Sequence, residues 1–393
     1  MVCGYRRRDG RVGVRNHVAI IPTAVSTASL ATAIADGLGG WAHATPHQMG
    51  AYAPTGSQQQ TERTLVGFGR HPNVGAAVVV DHGTEALSAT DIAARIEEDG
   101  TPVRTATVRE AGGSQQALTR GQSLATALHD EIIETERVDV GLDQLVVGVA
   151  CSNSDATSGL ATNAAIGAVS DRLVAAGATV VMGETAEFIG AEHILTSRCE
   201  HRAVGERITR YSEYRDRIAR RMGVDLTAVR PTKPHRCGGL STIEEVSFGA
   251  VQKAGTAPIE VMFPYAYQLP VGRGLVLMDT PTHDIESVIG QVAGGVQLLI
   301  RSTGQGCPPG NPIAPVITTT ANSSTARRLS DHVDVDISDL LGALDPVAAA
   351  EQLFDHIVAV ANGRPTAAER LSLDACAVNE VQPEQLAGTG TFA

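Results

Sequence analysis

The residues best equipped for chemistry lie in the segment GETAEFIGAEH, residues 183–193. Glu184, Glu187 and Glu192 arrive with His193 inside ten residues. Carboxylate and imidazole are the groups that hold divalent cations or move protons near neutral pH. Acidic residues also suit an ordinary helix start, where the macrodipole favours negative charge. Position decides between these readings. The cluster follows residues 178–182, an apolar β-branched run that reads as a buried strand. Parallel-sheet proteins put their ligand crevice beyond the carboxyl ends of such strands.

A second polar turn, CSNSD at residues 151–155 with Ser158 and Gly159 behind it, follows another apolar run at 144–150. It has the composition of a helix N-cap with a backbone anion nest. Serine and cysteine nucleophiles are present, but the strand-turn-helix elbow GxSxG is not, which weakens a hydrolase reading. Cys151 by itself reads as a small buried hydrophobe. Asp155, if its loop neighbours that of Glu184 and Glu187, completes a carboxylate-rich cation site. The loop STGQG at 302–306 matches no phosphate-binding signature. Further polar residues follow predicted strands: His47, Asp81, His82, Glu85, Glu110, Asp279, Ser302, Thr303 and Asn322. Any one of them is explained by an exposed loop. Together they define one side of a parallel sheet.

The elements that must position these groups alternate in type. Strands are expected at 17–22, 76–80, 103–108, 144–150, 178–182, 275–278, 296–300 and 315–320, with weaker ones at 41–45 and 333–336. Helices are expected at 27–38, 58–69, 242–255 and 346–362, with others after residues 114 and 159. A long, exposed, arginine-rich helix should span 200–224. Alternation of this kind makes an α/β fold. The charged stretch 134–143 divides it into two domains, 1–140 and 141–393, the second a Rossmann-like doubly wound, mainly parallel sheet.

Composition narrows the function. The 393 residues are 43% hydrophobic and only 3% aromatic, so the cores must be aliphatic. A net charge of −12 argues against nucleic acid or an anionic membrane as partner. The six cysteines form no CxxC pair, which removes zinc-ribbon and thioredoxin readings and points to a reduced, cytoplasmic setting. No leader-like or membrane-spanning apolar run is expected. Lysine occurs only at Lys233 and Lys253, so lysine-based chemistry has two candidates.

Ordered motifs extend over almost the whole chain: GYRRRDGRVGVRN at 4–16, HPNVGAAVVV at 71–80, SDATSG at 154–159, ETAEFIGAEHIL at 184–195, GGLSTIEE at 238–245 and MDTP at 278–281. With these the chain resembles the altronate/galactarate dehydratase family, to which the large subunit of sulfolactate sulfo-lyase is related. The resemblance implies a metal-dependent hydro-lyase that converts a sugar acid to a 2-keto-3-deoxy acid through an enediolate. It implies a divalent metal, typically Fe2+ with Mn2+ or Mg2+ as substitutes; by their position after strands, Glu184 and Glu187, with Asp155 as the weaker candidate, would hold it. His193 or His47 would then act as base, and His82 or Glu85 as acid. Arg15, Asn16, Ser154, Ser158, Arg236 and Thr303 would bind the substrate. A separate small β-clip (SAF) subunit and a homodimer with contacts from the first domain are implied as well. Where the family carries three cysteines, this chain has Ser26, Ala51 and Thr84. Two other readings stand beside the dehydratase: a sulfolactate-type sulfo-lyase large subunit, and a non-catalytic sugar-acid binder.

Overall fold

The protein is described by a computed structural model covering residues 1–341 and 345–380. Among the described residues, fourteen strands fall into three sheets. They are β1 (Val2–Arg6), β2 (Val12–Gly13), β3 (His17–Pro22), β4 (Ala42–Ala44), β5 (Val74–Asp81), β6 (Val103–Thr107) and β7 (Arg137–Val140). The second half adds β8 (Val146–Ser152), β9 (Thr179–Met182), β10 (Ile259–Phe263), β11 (Gly274–Met278), β12 (Leu298–Thr303), β13 (Val316–Thr320) and β14 (Val335–Asp336).

The first large sheet has the order β4-β3-β5-β6 and is parallel throughout. Its strand β5 is buried at every residue, as its run of alanine and valine requires in a sheet covered on both faces. Strand order reverses between β3 and β5, so the ligand crevice of this layer opens after Pro22 and Asp81.

The second large sheet has the order β10-β11-β9-β8-β12-β13-β14, again all parallel. Without its edge strand β10 this is the doubly wound order of dinucleotide-binding folds, with the reversal between β8 and β12. Beyond that reversal lie the CSNSD and STGQG turns. The small antiparallel sheet β2-β1-β7 ties the N-terminus to the segment joining the two halves. Its strands were not legible beforehand, because β1 and β7 carry arginine and aspartate on their exposed faces and the 134–143 stretch read as a polar boundary.

The Rossmann-like second sheet agrees with expectation, and the arginine-rich helix spans Arg202–Arg221 with only Gly205, Ile208 and Ser212 buried. The two large sheets share one core. Ile21, Leu65 and Phe68 of the first half pack in one cluster with Val181, Ile289, Val292 and Leu299 of the second. At the helix crossing a Cβ on Gly67 would collide with the carbonyl oxygen of Ala293, so only glycine permits the approach.

The HPN motif fastens this junction. Buried His71 donates from Nε2 to the Val296 carbonyl at 2.9 Å, while its Nδ1 accepts the Asn73 amide at 3.0 Å. Asn73 donates to the carbonyls of Gln297 at 2.8 Å and Ile313 at 3.1 Å and accepts the Val14 amide at 2.9 Å. Three backbone groups that the junction would bury unpaired are satisfied by one side chain.

Candidate active site

Cys151 is the penultimate residue of strand β8 and Glu184 lies two residues past the end of neighbouring β9, so parallel pairing brings the two polar ends together. Glu184 takes a left-handed backbone conformation (φ 67°), which turns its side chain back under the sheet. The turn is clipped in place from β11. Thr280 accepts the Glu184 amide at 2.6 Å, and Asp279 accepts the Thr185 hydroxyl at 2.8 Å. Asp279 is held in turn by Arg215 at 3.0 Å. That is the work of the MDTP motif. The GGLSTIEE motif leads into the helix Ile243–Val251, whose Ser247 donates to the Ile189 carbonyl at 2.7 Å.

Behind that helix a tight turn delivers Lys253. A Cβ on Gly167 would strike the Gln252 carbonyl, so the helix Asn163–Ala175 admits this turn only at a glycine. Ser170 donates to the Lys253 carbonyl at 2.8 Å and fixes it. The Lys253 ammonium is fully buried. Its Nζ donates to Glu184 Oε2 at 2.7 Å, to Cys151 Sγ at 3.0 Å and to Glu187 Oε2 at 3.1 Å. The Cys151 thiol donates to Glu187 Oε2 at 3.0 Å. Arg230 reaches the other Glu187 oxygen at 3.4 Å.

Two carboxyl groups thus face two cations in a buried cluster, and the thiol carries no charge. Burial, with the Glu187 charge beside it, holds the Cys151 thiol well above the ordinary range. Burial also raises Glu184 against the pull of Lys253, and its Oε1 has no hydrogen-bond partner among the described residues. Glu187 goes the other way, since Lys253 and Arg230 outweigh its burial. Burial works against the Lys253 charge, but Cys151, Glu184 and Glu187 around it raise its pKa well above the usual lysine value. The raised Glu184 carboxyl is a group that exchanges its proton closer to neutral pH than an ordinary glutamate.

Among the described residues, Cys151, Glu184 and Glu187 are the group whose ligand atoms could hold a metal ion, all within 4.8 Å of one another. Lys253 tests the fit. Its Nζ bonds to one atom of each of these three residues, in the position a metal would take. As packed, the residues do not accommodate a further cation.

Asp155, expected as the third carboxylate, sits in the neighbouring turn with different partners. Its Oδ1 accepts from the Thr157 hydroxyl at 2.7 Å and the Ser158 amide at 3.0 Å, and its Oδ2 accepts from Asn322 at 2.7 Å. Gly238 and Gly304 press against it so closely that a Cβ on either would clash. Ser158 opens a single π-helical turn, Ser158–Thr162, a distortion that concentrates at functional sites. Thr303 is buried and accepts the Gly306 amide at 3.0 Å, and Ser154 lies half-buried in the same turn. Asp155, Ser158, Thr303 and Asn322 therefore meet at the β8/β12 reversal, next to the Lys253 pocket.

The remaining expected residues lie elsewhere. His193 is exposed, its ring edge-on to Phe248. His47 is buried and pinned, donating from Nε2 to the Pro22 carbonyl at 2.9 Å and accepting the Met49 amide at Nδ1. Burial keeps it neutral, and neither nitrogen is left for substrate. Arg15 directs its guanidinium to Glu369 and to the carbonyls of Val14, Val360 and Arg364, so no donor pair is left for a substrate carboxylate. Asn16 bonds Arg7 and the Ile132 carbonyl. Arg236 is exposed and bonds the Pro231 carbonyl.

At the first-domain reversal, Glu85 accepts the amides of His82 at 2.9 Å, Gly83 at 3.0 Å and Thr84 at 3.0 Å, with the Ser26 hydroxyl at 3.0 Å. These contacts hold it below the ordinary carboxylate range against its partial burial. The exposed His82 contacts the Thr84 hydroxyl through Nδ1 at 3.2 Å. The Ala51 carbonyl accepts the Ala86 amide, and the Tyr52 hydroxyl donates to the Thr84 carbonyl. The three positions of the family cysteines thus converge on one patch, which offers two hydroxyls and a methyl. A thiolate-held iron does not fit there.

Comparison with known proteins agrees with this architecture. Residues 142–383 match the family model for the C-terminal region of D-galactarate/altronate dehydratase. Residues 4–132 match that for the second domain of D-galactarate dehydratase/altronate hydrolase. The chain belongs to the galactarate/altronate dehydratase family. It is 36% identical over 371 residues to the (2R)-sulfolactate sulfo-lyase subunit beta of Chromohalobacter salexigens, covering 94% of each chain. It is 28% identical over 380 residues to the altronate dehydratase of Escherichia coli, covering 93% of this chain and 75% of that one. The galactarate dehydratase (L-threo-forming) of Escherichia coli is 30% identical over 311 residues, covering 77% and 59%. Among the described residues no helix is long and apolar enough to cross a membrane.

Sequence reasoning missed Cys151 and Lys253 as members of the site. The available signal was the rarity of lysine: one of only two lysines stands in an otherwise apolar helix-to-turn segment.

Proposed function

We propose that this family member is a hydro-lyase acting on a hydroxylated small acid of the sugar-acid class, giving a 2-keto-3-deoxy acid through an enediolate. The carrying observation is the buried Lys253 ammonium between Glu184 and Glu187, beyond the carboxyl ends of adjacent parallel strands. A proton beside a carboxylate is weakly acidic, so its removal needs a base matched to working pH and a fixed positive charge near the enediolate. Glu184, raised by burial and unpartnered at Oε1, is the base that takes the C2 proton. Lys253 supplies the charge. As the neutral acid, Glu184 returns the proton to the hydroxyl leaving C3, and water departs. The enol left behind gains a proton at C3 as its C2 hydroxyl loses one, and becomes the keto acid.

Glu187 is buried, and the half-buried Arg230 and His235 lie on its solvent side. Arg230 is held only by contacts of 3.3 and 3.4 Å, which leaves its planar fork able to grip a substrate carboxylate. Beside it Asp155, Ser158 and Thr303 are buried and bonded within their turns, and the half-buried Ser154 and Asn322 are the residues there that suit substrate hydroxyls. A small partner subunit and a homodimer belong to the proposal as well, the former because one relative is named as a subunit.

A second reading is a sulfo-lyase, favoured by a specific observation: the sulfolactate relative is 36% identical to this chain, against 28% and 30% for the two Escherichia coli dehydratases. The chemistry differs only in the leaving group, sulfite in place of hydroxide. A panel of aldonates, aldarates and sulfolactate, assayed with and without a small partner subunit, tests both. Turnover of a sugar acid that falls by about 10²-fold or more in Glu184→Gln is the expected result. Turnover confined to sulfolactate would transfer the assignment to the second reading. Unchanged turnover in Glu184→Gln would remove the proposed site.

A further inference from the structure

We propose that Lys253 is the resident cation of this site, taking the place of a divalent metal among Cys151, Glu184 and Glu187, so that the protein's chemistry runs on an ammonium. The proposal rests on the lyase reading above and states where that reaction's positive charge comes from.

Three observations support it. The Lys253 Nζ binds Glu184 Oε2, Cys151 Sγ and Glu187 Oε2 at 2.7 to 3.1 Å, so the atoms nearest to one another are already gathered round a positive charge. Those same three residues are the metal-capable group found among the described residues, and one donor atom of each is already bonded to the ammonium. The one other place where family chemistry would put a metal, the patch of Ser26, Ala51 and Thr84, offers no thiolate, and its one carboxylate is tied to three backbone amides.

Electrostatics favours the exchange. Even with both Glu184 and Glu187 ionised, they only balance Lys253 and Arg230 while the thiol is neutral. A divalent ion in addition would leave a buried excess of positive charge, which a dry interior does not tolerate. The side chain is also held as a ligand would hold a metal, by the turn that Gly167 and Ser170 fix from behind. Lysine is scarce in this chain, and nearly every other cation is an arginine. A guanidinium is planar and broad and cannot sit at the centre of three converging acceptors, whereas a compact ammonium can.

The experiment measures metal content apart from turnover. Anaerobically purified full-length protein is stripped with chelator, incubated with Fe2+ or Mn2+, separated from free ion, and analysed by elemental mass spectrometry. Wild type should retain no stoichiometric metal. Lys253→Ala, which keeps all three ligand residues and opens the centre, should gain Mn2+ affinity by about tenfold or more. Adding Glu184→Gln to it should abolish the gain. Stoichiometric Fe2+ or Mn2+ in the wild type, lost in Glu187→Gln, would overturn the proposal outright, and this arm stands even if Lys253→Ala does not fold. In the turnover arm, activity on the substrate panel should be unchanged by chelator. Loss of activity with chelator, restored by one ion, would also overturn it. Failure to turn over any substrate would instead sink the lyase reading and leave the metal measurements to decide the cation.

Discussion

The junction between the two sheets should be acid-labile through His71. The ring is 1% exposed, donates from Nε2 to the Val296 carbonyl and accepts the Asn73 amide at Nδ1. Both bonds require the neutral ring. Protonation would place a proton at Nδ1 against the Asn73 N–H, and would bury a charge with no carboxylate among its recorded contacts. Burial accordingly lowers its pKa from 6.5 to about 3. The native state therefore binds the proton more weakly than the unfolded chain. The contribution is fully present above the unfolded value and is lost as pH falls toward the folded one. Between about pH 7 and about pH 4.5 these two values give a loss of roughly 2.5 kcal/mol. His17 and His47 are lowered by burial in the same sense, while raised Glu184 acts oppositely, gaining stability as pH falls, so whole-protein stability mixes several groups. His71→Gln isolates one of them, since glutamine can donate a hydrogen bond but does not titrate. Urea midpoints of the two proteins at both pH values are the assay. The variant should be less stable at the higher pH and should lose roughly 2 kcal/mol less on acidification. Parallel losses in both proteins would refute the account of His71.

The same junction makes two further predictions, and the pocket makes a third. Asn73→Ala leaves the Val14 amide and the Gln297 and Ile313 carbonyls without their partner. A stability loss of about 3 kcal/mol or more is expected by chemical denaturation. Gly67→Ala drives a methyl into the Ala293 carbonyl and should cost about 1–3 kcal/mol, read as a lowered melting temperature with turnover retained at low temperature. Cys151→Ser keeps a small donor against Glu187 and should change turnover by less than about threefold. A large loss there would mean that the sulfur itself takes part in the chemistry.

The sequence carried the second sheet because its strands are short apolar runs and each ends in a recognisable polar turn. The cluster at 183–193 was legible for the same reason: Glu184 follows β9 directly, and strand ends of a parallel sheet share one side. What failed was the assumption that nearness along the chain equals nearness in the pocket. His193 is close in sequence to Glu184, yet the short helix Glu192–Thr196 turns it outward to Phe248. Arg15 belongs to a family motif but braces Glu369, because motif residues can be retained for a fold as well as for a reaction. The HPN motif makes the same point from the other side, as its polar side chains serve the joint between the two sheets.

Lys253 was one of two lysine candidates, but its place between Glu184 and Glu187 was hidden for a deeper physical reason. A lysine in an apolar segment normally signals a solvated edge, since an isolated buried ammonium is too costly to keep charged. Its burial becomes affordable only when two carboxylates from strand β9's loop and a thiol from β8 are already assembled round it, and those arrive from residues 66 to 102 positions away in the chain. No local window contains both the cost and its compensation. The same separation explains why Cys151 read as a plain hydrophobe: its environment alone makes it a thiol that donates to Glu187. The polar centre of this protein is therefore a property of the sheet order that places β8 beside β9, and of the glycine at 167 that lets the lysine turn close over them. A chain with the same carboxylates and a bulkier residue at 167 would keep the acidic cluster and lose its cation.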